Sequence, residues 1–409
     1  IKPKQFLLGY LIISPILEQL IPSFSFDISG LRLGPQIVIR GGLTLLLIFY
    51  LIANYKDISS IQIIKPIFAI LALFSITTII VDIRNSMAFS ELAKIFYWML
   101  LLVTIAKMTQ NSQMTINRIY QSVTISSIIF LIILFASPKL GIQSDYANLK
   151  TNTGMFSPHA VAISLCMILN VIFYFISKQK RALHLLLAII LCILIVVSIS
   201  NTYVRTAYLT SALALISLII LTWIYNKGEE AKRQKLILTV MTLIIIVIVI
   251  LQVSIHRENF NRRFADLSNI DENTGSGRLE IWKSSLKTYL SYTIFEKVLG
   301  SGMGIAYKNQ VGTSEFATHN DYLFILLSGG LLGIALFVWL FILVIRCLMY
   351  PKYEDSTPMI IGWSTVVTYL VASMTNNVQG YPLVMTYFAF LVGGGIGHYQ
   401  RYKYQTLEE

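Results

Sequence analysis

Residues 236–255 read LILTVMTLIIIVIVILQVSI and contain no ionisable side chain. An α-helix rises about 1.5 Å per residue, so a run of this length matches the roughly 30 Å hydrocarbon core of a bilayer. The run also lacks the strict alternation of polar and apolar residues that is typical of a barrel strand. It therefore predicts a membrane-spanning helix, and much of the chain repeats its pattern.

The composition of the 409-residue chain is that of an integral membrane protein. Hydrophobic residues make up 56% of the sequence and charged residues 13%, whereas soluble proteins average about 25% charged residues. We therefore expect an all-α polytopic membrane protein. Cys166, Cys192 and Cys347 all fall within or at the ends of apolar segments, which favours packing over a disulfide framework or a thiolate metal site.

Twelve apolar segments have the length and hydropathy expected of membrane spans. They lie at residues 6–22, 35–53, 66–82, 91–106, 119–137, 158–177, 182–199, 203–225, 236–255, 322–349, 359–375 and 383–399. The chain then divides into helices 1–9 over residues 1–255, a long polar segment over residues 256–320, and helices 10–12 with a C-terminal tail over residues 321–409. An even number of spans puts both termini on one side.

Basic residues indicate which side that is. Outside residues 256–320, seventeen Lys and Arg residues fall on the side of the termini and seven on the other. The positive-inside bias then makes the termini cytoplasmic and the long segment extracytoplasmic. Most of the +12 net charge is explained by this topology. Because the charges are scattered over short loops, they argue against a nucleic-acid partner.

The polar segment over residues 256–320 has a nearly balanced charge, with eight basic and seven acidic residues. Leu279, Trp282, Leu286 and Tyr289 recur within it at helical spacing. We therefore expect a solvated loop that carries an amphipathic helix over the mouth of the bundle. Residues 300–304, Gly-Ser-Gly-Met-Gly, follow no predicted strand, so they indicate a flexible turn and not a nucleotide-binding loop.

Three arginines have unusual positions. Arg278 begins the amphipathic helix, where free backbone N–H groups and a guanidinium would suit a phosphate; the alternative is a solvated surface arginine paired with Glu280 or another loop acid. Arg205 lies at the mouth of the eighth span, where an arginine faces the bundle interior, water or a ligand, or else snorkels to the lipid headgroups. Arg40, near the start of the second span, is consistent with a functional role, with snorkelling or with an internal ion pair.

His319 and Asn320 stand at the junction between the polar segment and the tenth span. An imidazole at the mouth of a membrane helix is unusual, and its ordinary pKa near 6.5 suits it to accept a proton near neutral pH. The other histidines occur singly at span ends. The sequence contains no His-Glu-x-x-His, P-loop, Gly-x-Ser-x-Gly or Asp-x-Asp motif. His319 is therefore the first candidate for chemistry.

The pattern His-Asn, nine residues, Gly-x-x-Gly is met by His319, Asn320, Gly330 and Gly333. The remaining parts of the pattern are Val204-Arg205-Thr206-Ala207, Ser276-Gly277-Arg278-Leu279-Glu280-Ile281-Trp282 and the glycine-rich residues 299–304. In this order they resemble the O-antigen polymerase and O-antigen ligase superfamily. The specific resemblance covers about residues 200–335, and the amino-terminal half agrees only in hydropathy and number of spans.

The resemblance implies a glycosyltransferase of the bacterial inner membrane whose active site faces the periplasm. Its substrate would be an undecaprenyl-diphosphate-linked glycan, with membrane lipids and a chain-length regulator or other glycan-assembly proteins as further partners. Arg205 and Arg278 would hold the diphosphate, with Arg40 as an additional candidate. His319 would activate the acceptor hydroxyl and Asn320 would orient substrate. No metal or cofactor is implied.

Three functions remain open on the sequence. The first is a polymerase, which passes the growing glycan to another lipid-linked repeat unit to build O-antigen or a related surface polysaccharide. The second is a ligase, which passes it to the lipid A core. The third is a flippase or transporter for a charged glycolipid, although the chain shows no two-half repeat with paired broken helices. We favour the polymerase because that activity is spread over more of the divergent members.

Overall fold

A computed structural model describes residues 3–20, 26–28, 31–33, 35–58, 60–82, 85–142, 144–146, 149–153, 156–264, 277–305, 309–311, 314–349 and 356–408. The described chain is predominantly α-helical. Its helices are α1 (Pro3–Leu20), α2 (Pro35–Ala53), α3 (Tyr55–Ile58), α4 (Ile64–Asp82), α5 (Ser86–Gln110), α6 (Ile116–Ala136), α7 (Pro158–Lys178), α8 (Ala182–Ser200), α9 (Arg205–Tyr225), α10 (Glu229–Ile255), α11 (Arg257–Phe264), α12 (Arg278–Ser291), α13 (Ile294–Leu299), α14 (Asp321–Leu348), α15 (Thr357–Ser373) and α16 (Pro382–Glu408).

Three short antiparallel hairpins interrupt the helical pattern, and the described architecture is otherwise that of the predicted all-α membrane protein. They pair β1 (Phe26–Ile28) with β2 (Leu31–Leu33), β3 (Ser144–Tyr146) with β4 (Leu149–Thr151), and β5 (Asn309–Val311) with β6 (Ser314–Phe316). Each lies in a connection where the backbone has no helical hydrogen bonds, and strand pairing satisfies those groups instead.

All twelve segments predicted to span the membrane are helical. They correspond to α1, α2, α4 to α10, α14, α15 and α16. The last helix runs on to Glu408, so the expected C-terminal tail is largely a helical extension. Eight of the described helices are long and apolar enough to cross a membrane by length and composition. The full count of twelve spans and their orientation stay predictions.

The centre of the bundle is α7. Of its apolar stretch 94% is buried, against 28% for α8 and 17% for α10. These two neighbours pack against α7 on one side and turn the rest of their surface outward. The buried α7 has a lower mean hydropathy, 2.3, than α8 and α10, each 3.1, so the difference in burial reflects position in the bundle and not apolarity.

The glycines near the end of the chain allow α16 to pack closely against α5. A Cβ atom added to Gly393 would lie 2.7 Å from the carbonyl oxygen of Leu102, and one added to Gly397 would lie 2.2 Å from that of Ala106. Both distances are shorter than a van der Waals contact. This glycine run is therefore a helix-packing contact.

The second glycine cluster is also a packing contact. Gly300, with φ 84° and ψ 177°, ends α13 and lies against the backbone of α14, because an added Cβ would approach the carbonyl oxygen of Ser328 to 2.2 Å. On the other side of this contact, Gly330 interrupts the helical geometry of α14 with φ 62° and ψ −160°. The predicted turn at residues 300–304 thus docks on α14, and Gly300, Ser301 and Met303 are buried.

Candidate active site

Two connections at one end of the bundle carry or support most of the predicted site residues. The first is the His319 loop, residues 317–320, which leads into α14. The second is the α15–α16 turn, residues 374–381, which includes a 3-10 turn at Val378–Gly380. Hydrogen bonds of Thr318, Asn320 and Asp321 join the two.

Asn320 is the central residue of this junction. It is the N-cap of α14, and its side-chain oxygen accepts a hydrogen bond from the backbone N–H of Leu323 at 3.0 Å. Its side-chain amide donates to the carbonyl of Met374 at 2.9 Å. Its backbone N–H donates to Oδ1 of Asn377 at 2.8 Å. Asn320 therefore fixes the His319 loop to both α14 and the α15–α16 turn.

Thr318 and Trp282 hold the other side of the loop. The hydroxyl of Thr318 donates to Oδ1 of Asn377 at 2.9 Å, so Asn377 binds residues on both sides of His319. The indole Nε1 of Trp282, on α12, donates to the carbonyl of Thr318 at 3.1 Å. The amphipathic helix is thereby attached directly to the loop that carries the candidate base.

The buried side chain of Asp321 joins the start of α14 to the end of α15 and the α15–α16 turn, and the sequence did not point to it. Its Oδ2 accepts hydrogen bonds from the hydroxyl of Ser373 at 2.7 Å and from the backbone N–H groups of Val378 at 3.1 Å and Gln379 at 3.3 Å. The side chain is fully buried. A carboxylate in the first turn of an apolar span was the available signal, because such a group needs donors when it leaves water.

His319 has a left-handed backbone conformation, with φ 47°. For a residue with a Cβ atom this conformation costs about 1–2 kcal/mol. The bonds made by Thr318 and Asn320 on either side hold the backbone there. Such strain is found where the surrounding structure fixes a side chain for a task.

Arg278 lies close enough to His319 to affect its protonation. It is the first residue of α12, as predicted, and follows Gly277, which has φ 71°. Burial lowers the pKa of His319 below its ordinary value of 6.5, and the positive charge of Arg278 lowers that pKa further. The imidazole is therefore neutral at pH 7 and able to accept a proton.

Arg205 lies at the same end of the bundle and belongs to α9. The neighbouring hydroxyl of Thr206 forms a hydrogen bond with that of Thr375 at 2.7 Å. Thr375 is part of the α15–α16 turn, which also binds Asn320. The α15–α16 turn thus contacts both the start of α9 and the His319 loop.

Arg40 has a different environment. Its guanidinium forms an ion pair with Glu18 of α1, and both side chains are only 15% exposed. Of the interpretations left open by the sequence, the structure contains the internal ion pair.

Within the part of the chain that the structure describes, no group of three or more His, Cys, Asp or Glu residues is arranged to hold a metal ion. The candidate side chains at this end of the bundle are the imidazole of His319 and the guanidiniums of Arg205 and Arg278, which begin α9 and α12. A neutral imidazole can accept a proton, and guanidiniums bind phosphate oxygens in pairs.

A comparison with protein-family models finds a match over the region of the candidate site. Residues 190–338 match the family model of O-antigen ligase. The chain carries a domain of the O-antigen polymerase and ligase superfamily. This confirms the resemblance predicted from the sequence. The members of this family are glycosyltransferase-like ligases and polymerases that act on lipid-linked glycans.

The matched range covers somewhat more than a third of the chain and includes four of the five predicted site residues. Arg205, Arg278, His319 and Asn320 lie within it, and Arg40 lies outside. This division agrees with the geometry, which leaves Arg40 in its own ion pair. A search of curated protein sequences finds no match to this chain.

Proposed function

We propose that the protein is a membrane glycosyltransferase that polymerises undecaprenyl-diphosphate-linked repeat units on the periplasmic face of the inner membrane. The observation that carries this proposal is the position of Arg278 beside His319, with Arg205 at the same end of the bundle. An anion-binding group next to a neutral base is what transfer from a diphosphate donor to a hydroxyl acceptor requires.

The proposed reaction is a single displacement at the anomeric carbon of the donor sugar. The acceptor hydroxyl oxygen forms a bond to that carbon, and its proton passes to the imidazole of His319. The bond between the anomeric carbon and the phosphate oxygen breaks, and undecaprenyl diphosphate leaves with the electron pair. Arg205 and Arg278 neutralise the negative charge that develops on the leaving group.

The surroundings of His319 support its role as the base. A lowered pKa keeps the imidazole unprotonated at neutral pH, so it is ready to accept the proton of the acceptor. General base catalysis of this kind contributes about 10²- to 10⁴-fold to a rate. For Asn320, the hydrogen bonds to Leu323 and Met374 favour a positioning role over direct contact with the sugar.

A ligase is the second candidate. The specific observation in its favour is that the matching family model is described as O-antigen ligase. The two activities share the donor and the displacement chemistry and differ in the acceptor, which is the lipid A core for the ligase. The same arginines and histidine would serve both.

Deletion of the gene in its host distinguishes the candidates, with the surface glycan resolved by gel electrophoresis. Loss of a polymerase leaves cores capped with a single repeat unit. Loss of a ligase leaves bare cores and long polymer on the lipid carrier. An unchanged glycan pattern would argue against both.

Complementation with the His319→Ala variant then tests the proposed base. Wild-type protein should restore the glycan, and the variant should not, although it accumulates in the membrane at the wild-type level. Normal glycan assembly by the well-expressed variant would contradict the proposed mechanism and would favour a transporter, which needs no base.

A further inference from the structure

The corner between α12 and α13 exposes a cluster of large apolar side chains. Leu290 is 69% exposed, Ile294 84% and Phe295 64%, and Leu286 adds to the same surface. We call these four residues the corner patch. They belong to the segment that the sequence presents as a solvated loop, where a continuous apolar surface is costly in water.

Helix α12 has three different faces. Ile281 and Ser285 are buried against the rest of the protein. A second stripe, at spacings of seven and four residues, contains the exposed side chains of Leu279, Leu286 and Leu290. The third face is polar and exposed at Lys287 and Ser291, whereas Lys283, four residues after Leu279, lies within the leucine stripe.

A helix that packs on a protein and is otherwise surrounded by water needs only one apolar face, the face that packs. In α12 this is the face of Ile281 and Ser285. The second apolar stripe of α12 therefore requires another apolar environment. A helix that lies in the membrane interface next to a protein has this pattern, because protein, lipid and water each meet one face.

The contacts of α13 and its flanking residues with α14 show how far the corner lies along that helix from its first residue, Asp321. The hydroxyl of Tyr292 donates to the carbonyl of Leu327, and the backbone N–H of Ser301 donates to the same carbonyl at 2.9 Å. A Cβ at Gly330 would lie 2.4 Å from the carbonyl oxygen of Val298. Gly330 is nine residues beyond Asp321, which corresponds to about 13 Å along α14.

Contacts with α4 place the segment that follows α12 at a similar distance from the end of that helix. The backbone N–H of Met303 donates to the hydroxyl of Thr78 at 3.3 Å, and the ring of Phe74 lies against Gly329. Phe74 is eight residues before the end of α4 at Asp82, or about 12 Å. The segment that follows α12 thus descends beside two helices that are themselves candidate membrane spans.

The exposed residues of α14 and the lysines of α12 indicate which environment covers the corner patch. Leu331 and Leu332 of α14 are also exposed, so the apolar surface continues onto a candidate membrane span. Lys283 lies within the exposed stripe of α12, Lys287 lies at its edge, and both side chains are exposed. Lysines at the edge of an apolar surface place their charges at lipid headgroups and favour anionic lipids.

We propose that the α12–α13 corner is seated in the lipid leaflet at the His319 end of the bundle, with the corner patch among acyl chains and the two lysines at anionic headgroups. This part of the polar segment is then a re-entrant element. The proposal does not depend on glycosyl transfer, because it rests on burial, depth and charge alone.

Depth measurement by spin labelling of the full-length protein tests the proposal. The protein is reconstituted in vesicles of phosphatidylethanolamine and phosphatidylglycerol, with a methanethiosulfonate spin label at Ile294→Cys or, as a second variant, at Leu290→Cys. All three native cysteines are buried. We expect both labels to collide severalfold more often with oxygen, which concentrates in the membrane, than with a water-soluble nickel chelate.

Two labelled positions serve as controls. Val338→Cys, on the exposed apolar side of α14, should give the lipid pattern, and Gln113→Cys, exposed in the connection between α5 and α6, should give the water pattern. Ile294 and Leu290 labels that behave like the Gln113 label would overturn the proposal. Labels shielded from both oxygen and nickel would also overturn it, because a second protein copy would then cover the patch.

Discussion

His319 has a left-handed backbone conformation, which costs free energy for a residue with a Cβ atom. Asparagine tolerates the left-handed region better than most residues with a Cβ atom. We therefore expect His319→Asn to unfold at the wild-type temperature or slightly above it, and to lose about 10²- to 10⁴-fold in glycan transfer. Thermal unfolding in detergent and a transfer assay on lipid-linked glycan measure the two quantities.

His184→Asn is the matched control for this variant, because His184 is exposed near the start of α8. It should leave both stability and transfer unchanged. A His319→Asn variant that unfolds well below the wild type would show that the imidazole stabilises the fold instead of serving the reaction.

Arg278 should control the pH at which His319 works. The base acts in its neutral form, so activity is lost as the pH falls through the pKa of His319. Removing the charge in Arg278→Gln raises that pKa, and the acidic limb of the pH–rate profile moves to higher pH. Because burial is the larger cause of the lowered pKa, the midpoint should stay below about 6.5.

Arg278→Lys keeps the charge and is the control for this profile. It should lower the rate through loss of the guanidinium fork but leave the acidic midpoint near the wild-type value. Equal midpoints in the Gln and Lys variants would show that the charge of Arg278 does not reach His319.

Arg205 offers a related test of diphosphate binding. Arg205→Lys keeps a positive charge at the start of α9 but cannot bind two phosphate oxygens in parallel. Loss of one charge-assisted hydrogen bond corresponds to about 1.5–3 kcal/mol, or roughly a 10- to 100-fold fall in transfer. Arg118→Lys, an exposed position near the start of α6, should have no effect. Full activity of Arg205→Lys would indicate an arginine that contacts headgroups.

The residues with unusual chemistry could be found from the sequence, and their supports could not. Arg278 and His319 were predicted because charge and imidazole stand out against apolar surroundings. Asp321 was passed over, although its carboxylate organises the α15–α16 turn. Its partners lie 48 to 58 residues away, and spacing along a sequence does not reveal such contacts.

At the scale of elements, the contact between α13 and α14 depends on glycines. Gly300→Ala would place a Cβ against the backbone of Ser328 and would also strain a conformation that is essentially confined to glycine. Backbone strain and overpacking together should lower the free energy of unfolding by about 2–6 kcal/mol. Thermal or denaturant unfolding in detergent measures the change.

Gly141→Ala separates strain from crowding. Gly141 has φ 71°, and an added Cβ there meets nothing within 4 Å. Only the conformational cost remains, about 1–2 kcal/mol. Equal losses in the two variants would mean that α13 does not pack tightly on α14.

Helix α12 shows the limit of periodicity as a guide to burial. The spacing of Leu279, Trp282, Leu286 and Tyr289 predicted the correct helix, but Leu279 and Leu286 are exposed and Ile281 and Ser285 are buried. Apolar periodicity reports contact with any apolar environment. It does not separate the protein interior from a lipid surface, and this helix meets both in the arrangement that we propose.

At the scale of the whole molecule, hydropathy located the long helices because each needs its own run of apolar residues. Hydropathy could not predict which of these helices are buried inside the bundle. Helix α7 is buried almost throughout, whereas α8 and α10 are largely exposed, although all three are strongly apolar. Lipid and protein interior select the same residue types, so the order of packing had to come from the structure.

The orientation of the bundle is the remaining prediction, and α6 allows a matched test of it. Gln113 and Leu140 lie beyond its two ends, and both are exposed. In intact cells a membrane-impermeant maleimide should label Leu140→Cys, but should label Gln113→Cys only after lysis. The buried native cysteines should not react.

The result bears directly on the active site. Between Leu140 and the 256–320 segment lie four of the predicted spans, α7 to α10, so an even number of crossings places Leu140 and the His319 loop on the same side. Labelling of Gln113→Cys from outside, with Leu140→Cys protected, would put His319 in the cytoplasm. A periplasmic glycan polymerase or ligase with His319 as its base would then be ruled out.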